Sequence, residues 1–201
     1  MALAVKKLED FLPASFTVPG LSEDGFFELC QEFPEDMVEY WLDGTVIVAP
    51  PTDPESSERI GEVYVQLNVW ARGQGQGRTS GPDGSFRLPD GSRLSPDSAW
   101  FDAKRWASAK EKEPCRRYPV FAPEFVIEIR SPDDRVRKLQ EKMEIYIANG
   151  VKLAWLIDPI ERTVTIYRPN RRPKVLSNPA SVEGEGPVAG FVLDLTHVIG
   201  A

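Results

Sequence analysis

The sequence predicts a sheet flanked by helices, of the α/β or α+β class. Three observations carry this. Runs rich in β-branched and aromatic residues, such as "MVEYWLDGTVIVA", "EFVIEIR" and "VKLAWLI", read as strands. Two other stretches place apolar residues at helical spacing. The order is helix, hairpin, helix, hairpin, strand, helix, strand pair, which folds best as a sheet with helices packed on it. With 201 residues the chain is long enough for one real core, so a single domain over residues 1–201 is expected.

Residues 1–20 read as an irregular lead-in. Ser22 is a suitable N-cap for a short helix over 21–33. Asp43-Gly44 turns a hairpin between two strand-like runs. Ile60, Val63, Tyr64, Leu67, Trp70 and Ala71 share one stripe, which predicts an amphipathic helix from about 56 to 72. Glu55 stands at its start. Pro89-Asp90-Gly91 joins two further strands, and the charged "DAKRWASAKEKEPCRRYP" reads as a surface loop with a helical turn.

The strand 124–130 stops at Ser131-Pro132, and Asp133 or Asp134 is suited to cap a helix that runs to Ala148. Asn149-Gly150 ends it. Beyond residue 168 the chain is rich in Pro and Gly, with one more strand expected in "GFVLDL".

Composition narrows the function. The net charge is −7 and the pI near 4.9, an awkward balance for binding phosphates, although a cleft can be basic on an acidic protein. No run approaches the roughly 20 apolar residues that span a bilayer, and no signal-peptide core is evident, so a soluble, cytoplasmic protein with no membrane partner is expected. Cys30 and Cys115 are too far apart to pair as metal ligands and read as free thiols. The sole histidine, His197, has no nucleophile or base in its motif, so histidine-centred catalysis is not expected.

One residue stands out. Glu128 lies among Phe125, Val126, Ile127 and Ile129, in a strand that should be buried on both faces. A carboxylate there is costly unless a cation meets it. Lys142 is a candidate. Val136, Leu139, Met143, Tyr146 and Ile147 define the apolar stripe of the next helix, and Lys142 falls about 80° from its centre, on the border. Its stem can follow the core edge and deliver the ammonium near the sheet. Ile145 falls opposite the stripe. Asp97, after Pro96 at the head of "DSAWF", adds a second strand acid, and Glu55 is a possible third. Hard oxygen ligands of this kind suit Mg²⁺ or Mn²⁺.

The stretches "PPTDPESSER", "FRLPDGSRLSPDSAWF", "PEFVIEIRSPDDRVRKLQEKMEIYIANGVKLAWLIDP" and "VTIYRP" resemble the Uma-two (Uma2) family of restriction endonucleases, within the PD-(D/E)xK nuclease-like superfamily. The resemblance covers nearly the whole chain. It implies a restriction-endonuclease-like central mixed β-sheet flanked by helices, and an Mg-dependent endonuclease that hydrolyses nucleic acid, DNA foremost. It puts Asp97, Glu128 and Glu55 in the metal-binding positions. The familiar lysine two residues after the strand acid is Arg130 here, and the resemblance is to members whose lysine has moved to the next helix, where Lys142 stands. Arginine is a poor substitute for a compact ammonium. Lys142 is therefore favoured as the catalytic cation and Arg130 as a phosphate contact. Gln140 also matches a family position.

Each residue alone has a plainer reading: Glu128 in a structural ion pair, Asp97 in a turn, Glu55 at a helix start and Lys142 on the surface. Two other functions stay open. One is a catalytically silent nuclease fold that binds nucleic acid or protein; the other is a hydrolase of a smaller phosphoester. A homodimer would match the two-fold symmetry of a duplex cut on both strands, and no residue pattern tests it.

Overall fold

Two main sheets and a separate two-stranded pair divide the strands, and the chain makes its last passage from the first sheet to the second at Ser95-Pro96-Asp97. The computed structural model describes residues 14–74, 77–114 and 117–199. The first sheet contains β1 (Ala14–Thr17), β2 (Met37–Tyr40), β3 (Thr45–Ala49), β5 (Phe86–Arg87) and β6 (Arg93–Leu94), in the order β1-β3-β2-β6-β5. The second contains β4 (Gly77–Ser80), β7 (Ser98–Asp102), β8 (Phe125–Ile129), β9 (Leu153–Asp158), β10 (Thr163–Tyr167) and β11 (Lys174–Ser177), in the order β11-β10-β9-β8-β7-β4. Strands β12 (Ser181–Glu183) and β13 (Val192–Asp194) form a separate pair. The helices are α1 (Glu23–Glu32), α2 (Pro54–Gln74), α3 (Ala103–Lys112) and α4 (Val136–Ala148). This is the expected α/β class with a mixed sheet: β8 and β9 run parallel and the other neighbours in the second sheet run antiparallel. A parallel pair needs a crossover, and α4 provides it.

The faces of β8 explain the placement of the site. Phe125, Ile127 and Ile129 belong to a core shared with Ile60, Val63 and Leu67 of α2 and with Trp155 and Phe191. Val126 belongs to the opposite core, with Met143 and Tyr146 of α4, Leu94 and Phe101. Side chains alternate along a strand, so Glu128 shares Val126's face and points toward α4. Coverage on both faces is why the strand reads as continuously apolar around this one acid. A third core, under the first sheet, holds Phe26, Val38, Tyr40, Val46 and Val48.

Several expectations hold at the level of single residues. Ser22 caps α1 by accepting a hydrogen bond from the Gly25 N–H. Gly44 turns the β2–β3 hairpin at φ +88°, a conformation that favours glycine. Asn149 ends α4, and Gly150 follows at φ +100°. The Asn149 amide donates to Asp90 at 2.8 Å and its carbonyl accepts from the Asp90 N–H at 2.9 Å. The β5–β6 hairpin is thus fixed to the end of α4, a few residues before Asp97.

Other expectations need correction. Of the lead-in, residues 14–17 form β1, paired with β3; residues 1–13 lie outside the described residues. In the charged stretch the expected helical turn is a ten-residue helix, α3, capped by Asp102. Only Trp106 and Ala109 of α3 are partly buried against the core, so it has no apolar stripe to read from sequence. Arg135 rather than Asp133 or Asp134 precedes α4, with no side-chain cap, while Asp134 accepts from the Ser131 N–H in the preceding turn. Three strands follow residue 168 instead of one, because β11 and β12 are short and mostly exposed. Ile145 packs at the edge of the core that contains Met143, rather than facing away. Cys30 is free and half-buried; Cys115 lies outside the described residues. Among the described residues no helix is long and apolar enough to cross a membrane.

Candidate active site

Glu128, Lys142 and Asp97 come together where β7 begins, between β8 and α4. The last paired residues of β7 and β8 are Ser98 and Ile127, so Asp97 lies level with Glu128 one step further along the antiparallel register. Asp97 Oδ2 accepts a hydrogen bond from the Ile129 N–H at 2.7 Å. Its other oxygen has no hydrogen-bond partner among the described residues. Glu128 is met by two donors. Lys142 Nζ lies 2.9 Å from Oε1 and 3.0 Å from Oε2, and the Tyr146 O–H donates to Oε1 at 2.9 Å.

Lys142 is buried, not bordering. Its residue is 7% exposed, comparable with Glu128 at 3% and Asp97 at 9%. The buried face of α4 is Lys142, Met143 and Tyr146, rotated from the predicted stripe toward the lysine. Periodicity weighs apolar residues only, so it cannot see a cation drawn inward by carboxylates.

A residue that the sequence reading passed over completes the cluster. Glu39 of β2 is buried, and its Oε1 lies 2.7 Å from Lys142 Nζ. The same oxygen accepts from the Ser95 N–H at 2.9 Å, while the Ser95 carbonyl accepts from Lys142 at 3.0 Å. The signal was available: Glu39 sits between Val38 and Tyr40 much as Glu128 sits in its own strand.

Glu55 stands apart. It is exposed in the first turn of α2 and ion-paired with Arg59. Among the described residues no three carboxylate, imidazole or thiolate groups converge to hold a metal, so the three-acid cage with Glu55 is not formed. Arg130 is turned to Asp158, Nη1 to Oδ2 at 2.9 Å, at the end of β9. Gln140 is exposed.

Charge in this cluster is unbalanced. Burial, countered in part by Lys142 and the Ile129 N–H, pushes Asp97 up to about 6. Burial likewise pushes Glu128 up, against the pull of Lys142 and with Asp97 and Glu39 adding repulsion. Burial opposes the charge on Lys142, but Glu128, Glu39 and Asp97 outweigh it and hold its pKa above the usual lysine value. Two carboxylates within 2.9 Å of its nitrogen keep Lys142 protonated. One ammonium cannot neutralise three carboxylates. The cluster must keep a proton or take up another cation.

This yields a pH dependence. An acid whose pKa rises on folding holds its proton longer in the native state, so stability falls as pH climbs from the unfolded to the folded value. For Asp97 that interval is 3.8 to about 6, worth on the order of 3 kcal/mol, and Glu128 extends the decline upward. Lys142, also raised, contributes stability that is lost only above its ordinary 10.5. Urea unfolding of the metal-free protein is expected to show lower stability at pH 8 than at pH 5.5. A flat or rising profile would refute the charge imbalance.

Likeness to known proteins establishes the family and the fold. The sequence model of the family described as "Uma2: Putative restriction endonuclease" matches residues 24–196. A crystal structure of "a putative nuclease belonging to DUF820", from Anabaena variabilis ATCC 29413, superposes with a TM-score of 0.72 and 25% identity, covering 88% of this chain and 96% of that one. None of the curated proteins compared matches the chain.

Proposed function

We propose, from the premise that the chain belongs to the Uma2 family of restriction-endonuclease-like proteins, that it is a divalent-metal-dependent endonuclease cleaving phosphodiester bonds in nucleic acid, with DNA as the first substrate to test. The observation that carries this reading is the placement of Asp97, at the head of β7, level with Glu128 of the adjacent strand, whose carboxylate meets a buried lysine. The donor set fits Mg²⁺ or Mn²⁺. It offers hard oxygens, an excess of negative charge and an Asp97 oxygen with no hydrogen-bond partner among the described residues, and these ions bind through one or two carboxylates while keeping waters. Asp97 and Glu128 would hold the ion, which would supply Lewis acidity at a phosphoryl oxygen and a more acidic bound water.

The remaining work falls to the chain's own groups. Lys142 stays protonated, so it acts as a donor and not as a base: it orients the attacking water and offsets the charge that builds on the phosphoryl oxygens. Tyr146 fixes the Glu128 carboxylate from below. Arg130, held by Asp158 at the strand end, is suited to contact a neighbouring phosphate. Glu55 has no part in this mechanism.

A second reading has its own support. Both Glu128 oxygens already accept hydrogen bonds from Lys142 or Tyr146, and a satisfied buried ion pair can be purely structural. The chain would then be a silent nuclease fold that binds nucleic acid or protein. Plasmid and oligonucleotide cleavage in Mg²⁺ or Mn²⁺, with and without chelator, separates the two. Turnover that stops on chelation is expected. Salt-sensitive binding without any metal-dependent turnover would favour the silent fold.

A further inference from the structure

Glu39 is the buried acid for which the two-carboxylate reading gives no purpose. Glu128 alone already contacts Lys142 through both oxygens, at 2.9 and 3.0 Å. A second buried carboxylate on the same ammonium adds a desolvation cost of several kcal/mol. Glu39 nevertheless comes from the other sheet and reaches Lys142 Nζ at 2.7 Å. Ser95 fixes this contact: its N–H donates to Glu39 and its carbonyl accepts from Lys142, two residues before Asp97. Lys142 thus has two sets of partners. One is Glu128, which the metal would also claim. The other is Glu39 with the Ser95 carbonyl, on a segment that leads directly into Asp97.

We infer that Glu39 is a positioning residue, which with the Ser95 carbonyl holds the Lys142 ammonium in the site when Glu128 gives its oxygens to a divalent ion. This rests on the metal-dependent reading above. Without Glu39, an ion at Glu128 would repel the ammonium and compete for its carboxylate, and the lysine would lose its place beside the reacting phosphate. Glu39 itself touches neither ion nor substrate and acts through Lys142.

The test uses the full chain with Glu39→Gln, Lys142→Gln and the double variant. Glutamine keeps the shape and can still accept from the Ser95 N–H. Calorimetric titration with Mn²⁺ is expected to give nearly wild-type affinity for Glu39→Gln, because the proposed ligands remain. Its kcat in Mg²⁺-dependent cleavage is expected to fall about 100-fold, with KM little changed. The double variant should be no slower than Lys142→Gln alone, since both act through one group. In unfolding measurements, the Glu39–Lys142 coupling should be larger with Mn²⁺ than without. Glu39→Asp, which keeps the charge on a shorter arm, should recover part of kcat, and it gives the same comparison if the glutamine variant does not fold. Wild-type kcat in Glu39→Gln, losses that multiply in the double variant, or a coupling indifferent to Mn²⁺ would each overturn the inference. Failure of the wild-type chain to bind Mn²⁺ would overturn the metal reading first, and this inference with it.

Discussion

Asp97→Asn is expected to lower Mg²⁺-dependent cleavage by about a thousandfold or more and, at the same time, to make the metal-free protein more stable at pH 8. The two effects have one cause. Asp97 is a buried carboxylate whose ionisation burial opposes, so the native state is penalised once the group loses its proton. Asparagine removes that penalty and keeps an oxygen to accept the Ile129 N–H, which Asp97 now takes at 2.7 Å. What it loses is the charge that would hold a divalent ion. Activity and stability moving in opposite directions is the signature of a group retained for function. Cleavage kinetics and thermal unfolding on the same preparation check it. If Asp97 were only a turn residue, the variant would cut normally.

Lys142→Met is expected to act in the other direction on stability. Removing the ammonium leaves Glu39 and Glu128 buried without their shared cation, a change that costs about 3–5 kcal/mol when one partner of a buried pair is lost. Methionine fills much of the volume, so the cost is electrostatic and not a cavity. The urea midpoint should therefore drop more at pH 8 than at pH 5.5, because burial favours the protonated form of Glu128 and the lower pH relieves it. Adding Glu39→Gln should restore part of the loss. A midpoint unchanged from wild type would mean that the three side chains are not coupled in solution.

How far the site could be read from sequence depended on the range of the interactions that form it. Glu128 was legible because an acid inside an apolar strand conflicts with its own neighbours. Glu39 offers the same conflict, but nothing local to "MVEYW" marks which face of its strand is covered. Its burial comes from the crossing at Ser95-Pro96-Asp97, which brings the first sheet against α4. No local pattern marks where a chain changes sheets. Lys142 was found but placed at the stripe's edge, since apolar periodicity has no term for a lysine drawn in by carboxylates. Glu55 fitted a motif, yet on the first turn of α2 its nearer partner is Arg59, one helical turn away. Helix α3 reads from sequence as no more than a helical turn for want of a stripe, with Asp102 as its clear local signal. The mixed sheet flanked by helices followed from the order of element types, whereas the order of the strands and the parallel pairing of β8 and β9 across α4 are long-range and were not legible.

Crystals soaked in Mn²⁺ and measured at the manganese absorption edge address the central claim without relying on a chosen substrate. An anomalous peak bridging the Asp97 and Glu128 carboxylates, with Lys142 kept beside it by Glu39, is the expected result. A Glu128 still closed onto Lys142 and Tyr146, with no peak at Asp97, would contradict it.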